Sequence, residues 1–396
     1  MDLYLKNRES KVGLRRAVKA MSRLLPEGHR MPSSDKILSY IERLAPKVSE
    51  EVHCFCKECV KYRDEATPEE MCSICHKNTE LGQFYLFSIK VIVKYLFEHR
   101  NLASVLEDTV NRNSQDSIND ISDGTVYKTL NSNRSRYDLT LIVGADGVRI
   151  RKGSKNELWV FLSTFVEIPI HLRESFITVL GLWYSEVKPN MNTFLRPFCI
   201  EVNSVGVTGI EWKHPHTGEI CKTVVRIQVV VADAIARAIM QNTQQFNGKY
   251  GCNVCEVKTV KCAPQPEKKR IRVYPYEDNP KLRTAARMMN QARQAIETGR
   301  VVKGVKGPSA LSIIPSLDIS VCFVPEYMHC VLLGVTNQMI VLWTKKTGLW
   351  NISDHIFQID VALKNICHQD FVHRAFAFEG MNGIIAKATH GTHNVG

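Results

Sequence analysis

The sequence predicts a mixed α/β protein, in which a sheet-based domain follows basic helices and a small cysteine-rich module. Three observations carry this. From Tyr137 to Asp233 the chain sets β-rich runs around one helical pattern. Between Cys56 and Cys75 it holds two C-x-x-C pairs. Its 52 Lys+Arg against 40 Asp+Glu leave a net charge of +12, an excess that favours a polyanionic partner, usually nucleic acid. A chain of 396 residues suits two domains, or one large domain with insertions.

Residues 1–50 read as a basic helical segment with eleven Lys/Arg and six Asp/Glu. Leu14, Val18, Met21, Leu24 and Leu25 share a helical face. Ser33 or Ser34 is the expected N-cap of a second helix. The first residues have no apolar core of a secretory signal. No apolar run approaches the ~18 residues of a membrane span. A reducing compartment is therefore expected, with the thirteen cysteines acting as metal ligands or buried thiols.

Residues 51–80 read as a separate zinc ribbon-like module. Residues 81–136 read as an apolar helix, over 81–105, and a polar linker. Next come three β-rich runs, "YDLTLIVGADGVRI", "ELWVFLSTFVEIP" and "SFITVLGLWYS". "NMNTFLRPFCIEVNSV" has helical spacing, with Asn192 as its expected cap. "TVVRIQVVVAD" is nearly continuous in β-branched residues, as in a central strand covered on both faces. Residues 256–306 form a basic insertion of thirteen Lys/Arg and five Asp/Glu, and its helix should end on Gly299. A last helix is expected from "PEYMHCVLLGV", and residues 346–396 read as a truncated or altered tail.

Two constellations carry chemistry. Cys56, Cys59, Cys72 and Cys75 have the spacing of two knuckles supplying four thiolates to a tetrahedral Zn²⁺, with Cys54 and His76 as adjacent spares by which the ligand set could shift by one. A segment of this length cannot build a core of its own, and a structural ion would substitute for one. Cys252 and Cys255 are a half-site, needing further ligands from Cys262, or from His329 and Cys330; free loop thiols are the simpler reading. The second constellation is acidic. Asp146, before Gly147, and Asp233, after "IQVVVA", are expected at the ends of the first and fourth strands of this domain. Neighbouring strand tips can offer both carboxylates to hard divalent cations, although acids at strand ends are also common turn residues. The third acid is Glu326, in the first turn of the last helix, or Asp318 in "PSLDIS".

Taken in order, "GADGVRI", "FLRPFCIEV", "VVADAIARAIMQNTQQFNGKYGCNVC", "RVYPYEDNPKLRT", "GVKGPSAL" and "EYMHCVLLGV" resemble the core of CACTA-class (En/Spm-like) DNA transposases, over residues 137–345. The resemblance implies an RNase H-like catalytic domain interrupted by the basic insertion. It implies Asp146, Asp233 and Glu326 as an acidic triad holding two Mg²⁺ or Mn²⁺ ions. The family sets an aspartate before "YMH", where this chain has Glu326. Zinc is implied at Cys252 and Cys255, and the expected chemistry is cutting and joining of DNA strands at transposon ends. DNA is the expected partner, with homo-oligomers and a nuclear location, and without a membrane or small-molecule substrate. The alternative is an inactive, zinc-dependent DNA-binding protein domesticated from such an enzyme.

Overall fold

The computed structural model describes residues 50–63, 71–78, 80–109, 118–151, 153–263, 270–345 and 350–365, with shorter pieces between 15 and 39. The chain divides into two compact units, Met1–Ser49 and Glu50–Gly396. In the first, residues 15–16, 18–20, 34–37 and 39 are helical. Ser33 is the cap, its Oγ accepting from the Lys36 N–H at 3.3 Å. Of the apolar face expected there, Leu14, Met21, Leu24 and Leu25 lie outside the described residues.

The second unit is mixed α/β, built on one eight-stranded sheet. Its strands are β1 (Glu50–Cys56), β2 (Tyr62–Arg63), β3 (Leu81–Phe87), β4 (Leu139–Val148), β5 (Glu157–Phe165), β6 (Thr178–Ser185), β9 (Val225–Ala232) and β12 (Phe323–Pro325). They run in the order β12-β9-β4-β5-β6-β3-β1-β2. β12, β9 and β4 are mutually parallel, and from β4 outward to β2 every pairing is antiparallel. β7 (Ile210–Lys213) and β8 (Ile220–Thr223) form a separate hairpin, as do β10 (Val260–Cys262) and β11 (Ile271–Val273).

The expected run of three strands, a helix and a fourth strand is present as β4, β5, β6, helix Met191–Thr208 and β9. β9 is buried along almost its whole length, as a strand flanked by β4 and β12 must be. Beyond β9 stands β12, a three-residue strand ending in Pro325 that the sequence pattern does not show. Proline cannot donate to a ladder, which confines it to an edge such as this.

Two expectations at the other edge are corrected. Residues 51–80 are not a module apart, because β1 pairs with β3 and β3 with β6 of the main sheet. Residues 81–105 are not one helix. They divide into β3, α1 (Ile89–His99) and α2 (Leu102–Thr109). In "LGQFYLF", Gly82, Phe84 and Leu86 are buried in strict alternation, a period of two that the flanking apolar run obscures. An aromatic core joins the edge to the sheet: Phe55 stacks on Trp183 at 3.9 Å, and Phe84 meets Phe194 edge-on at 5.6 Å. Gly82 is required there, since a Cβ would stand 2.1 Å from the Phe55 ring.

The remaining described α-helices of six residues or more are α3 (Thr125–Leu130), α4 (Met191–Thr208), α5 (Ala234–Met240), α6 (Ala285–Thr298), α7 (Asn337–Lys345) and α8 (Ile356–Asn365). Asn190, not Asn192, caps α4 by accepting from the Asn192 N–H at 3.0 Å. The Asn192 side chain instead donates to the Pro308 carbonyl at 2.9 Å and accepts from the Ala310 N–H at 2.7 Å. Glu201 on α4 in turn accepts from Ser88 Oγ and the N–H groups of Ile89 and Lys90. A carboxylate there complements the positive end of α1. α6 ends on Gly299 in the left-handed region, φ 64°, as expected. Residues 346–349 and 366–396 of the expected tail lie outside the described residues, and α8 lies between them. No described helix is long and apolar enough to cross a membrane.

Candidate functional site

Two matching turns gather the cysteines. In the first, the Val60 N–H donates to the Cys56 carbonyl at 2.8 Å and the Cys56 N–H to Lys61 at 3.1 Å. In the second, His76 donates to Cys72 at 2.8 Å and Cys72 to Lys77 at 3.0 Å. The residue after each second cysteine turns left-handed, Val60 at φ 55° and His76 at φ 53°. Neither is glycine, so both turns hold a strained conformation that something in the folded protein must sustain.

The thiols of Cys56, Cys59, Cys72 and Cys75 lie within 4.8 Å of one another. The Cys56–Cys75 and Cys59–Cys72 sulfurs are 3.7 and 3.8 Å apart. A tetrahedral ion with metal–sulfur bonds of about 2.3 Å has sulfur–sulfur edges of about 3.8 Å. A disulfide is far shorter, about 2.05 Å. The group therefore fits a zinc-type ion, and Cys54 and His76 stand outside it. Burial pushes the Cys59 thiol up to about 12. The N–H groups of Cys75 and Ile74 draw Cys72 down, favouring its thiolate. Thr193 on α4 ties this centre to the sheet domain, its hydroxyl donating to the Val60 carbonyl at 2.7 Å.

The acids come from three adjacent parallel strands. Asp146 lies on β4, opposite Val160 of β5. The strand runs on past Gly147 to Val148, so Asp146 lies within β4, two residues short of its expected place at the end. Asp233 follows β9 and caps α5, its Oδ1 accepting from the Ala236 N–H at 2.6 Å. Glu326 follows Pro325, which pairs with Ala232, the residue before Asp233. All three therefore stand towards the same end of the sheet. Asp318 does not: the Ser316 hydroxyl, two residues before it, bonds to Ile227 early in β9.

Charge links the group. Loss of solvating water raises Asp146 above the usual aspartate value of 3.8; repulsion from Asp233 and Glu326 adds to this, against the Gly147 N–H and His329. Glu326 shifts the other way. Desolvation opposes its charge, but the N–H groups of His329 and Met328 and the His329 ring outweigh that and lower it. Its carboxylate takes the Met328 N–H at 2.7 Å and the His329 N–H at 2.6 Å, and His329 Nδ1 lies 2.6 Å away. By sequence alone His329 is a candidate for the cysteine site only. Its signal for the acids is its place three residues after Glu326, which stands just before the helix and not in its first turn as expected. The expected helix is a π-helix, Met328–Thr336, a form that often marks functional sites.

Three carboxylates suit a hard cation in kind, and their mutual repulsion is what a cation would relieve. They are not drawn into one coordination sphere. Among the described residues the four cysteines are the only group of three or more His, Cys, Asp or Glu whose ligand atoms lie within 4.8 Å of one another.

Cys252 and Cys255 form a further knuckle, the N–H groups of Val254 and Cys255 each pointing at Cys252 Sγ at 3.4 Å. No third ligand joins them among the described residues, and Cys262 and Cys330 are exposed. Arg283 fastens this loop instead, donating to the carbonyls of Cys252 at 2.9 Å, Tyr250 at 3.2 Å and Lys303 at 2.9 Å. No family model matches the chain, and no curated protein matches it.

Proposed function

We propose that the chain is a DNA transposase-type nuclease, cutting and joining DNA strands at transposon ends by metal-dependent phosphoryl transfer. The observation that carries the reading is the alignment of Asp146, Asp233 and Glu326 at one end of three adjacent parallel strands. In this reading the fold is RNase H-like. The sheet order β12-β9-β4-β5-β6, with an antiparallel β4-β5-β6 and a parallel β9 and β12, supports it. The residues between α5 and β12, including 256–306, are then an insertion. DNA is the partner, in the nucleus, with more than one copy of the chain at paired ends.

Asp146, Asp233 and Glu326 would hold Mg²⁺ or Mn²⁺. When bound, such ions activate the attacking oxygen and stabilise the leaving one. The protein's own role is to present charge. Asp233 is oriented by the first turn of α5. Glu326 is held ionised by its two N–H donors and His329. Asp146, with a raised pKa, has the most to gain from a cation beside it. Basic residues of 256–306 would neutralise phosphates without reading sequence.

One observation favours the alternative, a zinc-dependent DNA-binding protein without catalysis: the three carboxylates do not close to ion-binding distance, whereas the four thiols do. Cleavage of a labelled duplex carrying the element's ends, with Mg²⁺ or Mn²⁺, separates the two. Nicking by the wild type and not by Asp233→Asn supports the nuclease. Binding without nicking by either protein supports the alternative, and equal nicking by both removes Asp233 from any site.

A further inference from the structure

The loop after α5 and the β10–β11 hairpin bring aromatic rings and ammonium groups onto one braced surface. Phe246, Tyr274 and Tyr276 are 55%, 44% and 89% exposed. Single exposed aromatics are ordinary; here Tyr274 is bonded to the Phe246 backbone, its Oη donating to the carbonyl at 2.5 Å, and Tyr276 lies beside it in the chain, two residues on. The Thr259 N–H, beside β10, bonds to the Lys249 carbonyl at 2.9 Å, closing hairpin onto loop. At the other side, Lys303 Nζ stands 4.9 Å and Lys249 Nζ 5.9 Å from the Tyr250 ring. The buried Arg283 guanidinium holds the Tyr250 and Lys303 backbones together.

We infer that this surface, Phe246, Lys249, Tyr250, Tyr274, Tyr276 and Lys303, is a stacking site for unpaired bases of a DNA strand. The inference rests on the nuclease reading for its choice of DNA. The Tyr274 ring, fixed by its bond to the Phe246 carbonyl, loses little freedom on binding. Ammonium groups beside the rings meet the phosphates, the combination by which proteins hold single strands. A duplex would satisfy the lysines but not the rings, because paired bases hide their faces. The net +8 of residues 256–306 selects a polyanion over an acidic peptide's scattered charge. The place in the fold agrees. α5, Ala234–Met240, leads from Asp233 to this loop, and its seven residues rise about 10 Å.

The test is fluorescence anisotropy of the full chain with a labelled single-stranded oligonucleotide and with the duplex of the same sequence. The variants are Phe246→Ala with Tyr276→Ala, and Phe246→Trp with Tyr276→Trp. The alanine pair is expected to weaken single-strand binding roughly thirtyfold or more while duplex binding changes by less than about twofold. The tryptophan pair should keep the binding and show indole quenching when DNA is added. Equal loss on both DNAs, or no loss, overturns the stacking site. The nicking assay is scored separately. A wild type that nicks while the alanine pair binds single strands unchanged sinks only the stacking site. A wild type that binds through these rings and never nicks sinks only the nuclease.

Discussion

Asp146 comes level with Asp233 because β9 carries one extra residue, Gln228. Before the bulge Leu141 pairs with Ile227, and after it Ile142 pairs with Val229. The last pair is Gly144 with Val231, and two residues further each strand reaches its aspartate. Without the bulge the same count would set Asp146 beside Ala232. Bulges of this kind commonly re-aim a side chain beside a site.

On the nuclease reading, removing either aspartate's charge should abolish metal-dependent nicking and leave the fold intact. Asp146→Asn also has a signature in stability without metal. The folded pKa of Asp146 is raised, so its ionisation opposes folding. That penalty is full above the raised value and fades as pH falls towards the unfolded aspartate value of 3.8. Glu326 has the opposite sign, stabilising above the ordinary glutamate value of 4.5 and losing this as pH falls through its lowered one. Denaturant melts across the acid range should therefore show Asp146→Asn gaining most on the wild type at neutral pH. Glu326→Gln should lose on it there.

Gly144→Ala should disturb the acid pair from behind. An added Cβ would stand 2.6 Å from the Val231 carbonyl oxygen, so β4 and β9 must be pushed apart just before the aspartates. Overpacking of this sort costs about 1–3 kcal/mol. Chemical denaturation reads that cost, and Mn²⁺ titration should show weaker binding than the wild type. Unchanged affinity would detach the strand spacing from the site.

The purified chain should carry one zinc ion per molecule, measured by plasma mass spectrometry, and Cys72→Ser should lose it. Loss of the ion should cost on the order of 3 kcal/mol or more, seen as a drop in melting temperature of roughly 6 °C or more. Because β1 and β3 continue the main sheet, the drop should appear in the main unfolding transition. A separate early transition would instead restore an independent module.

Thr193→Val should weaken the anchor between α4 and the first knuckle. It removes the hydroxyl bond to the Val60 carbonyl at a cost of about 1 kcal/mol, more where the carbonyl stays dry. Zinc release to a chelator should be faster than in the wild type, while the zinc content at rest is unchanged.

Side-chain patterning makes the heart of the sheet legible. The period-two and continuous β-branched runs of β4, β5, β6 and β9, and the helical spacing of α4, follow from which faces each segment buries. The two C-x-x-C pairs are equally legible, because a knuckle forms from residues adjacent in the chain. β3 is hidden inside a longer apolar run, and β12 is too short to show any period.

The sequence by itself determined the succession of β4, β5, β6, α4 and β9, though not the β7–β8 hairpin between the last two, and it determined the two cysteine knuckles and the placing of acids late in or just after β-rich runs. Each is set by contacts within a few residues. Tertiary structure alone decided the rest. It set Glu326, and not Asp318, at the end of the strands where Asp146 and Asp233 stand, through the pairing of Pro325 with Ala232. It levelled Asp146 with Asp233 through a bulge, and brought His329 to the acids. It merged the cysteine segment with the sheet, and left Cys252 and Cys255 without a third ligand among the described residues. These depend on register and on packing between segments far apart in the chain, where a shift of one residue changes which side chains meet.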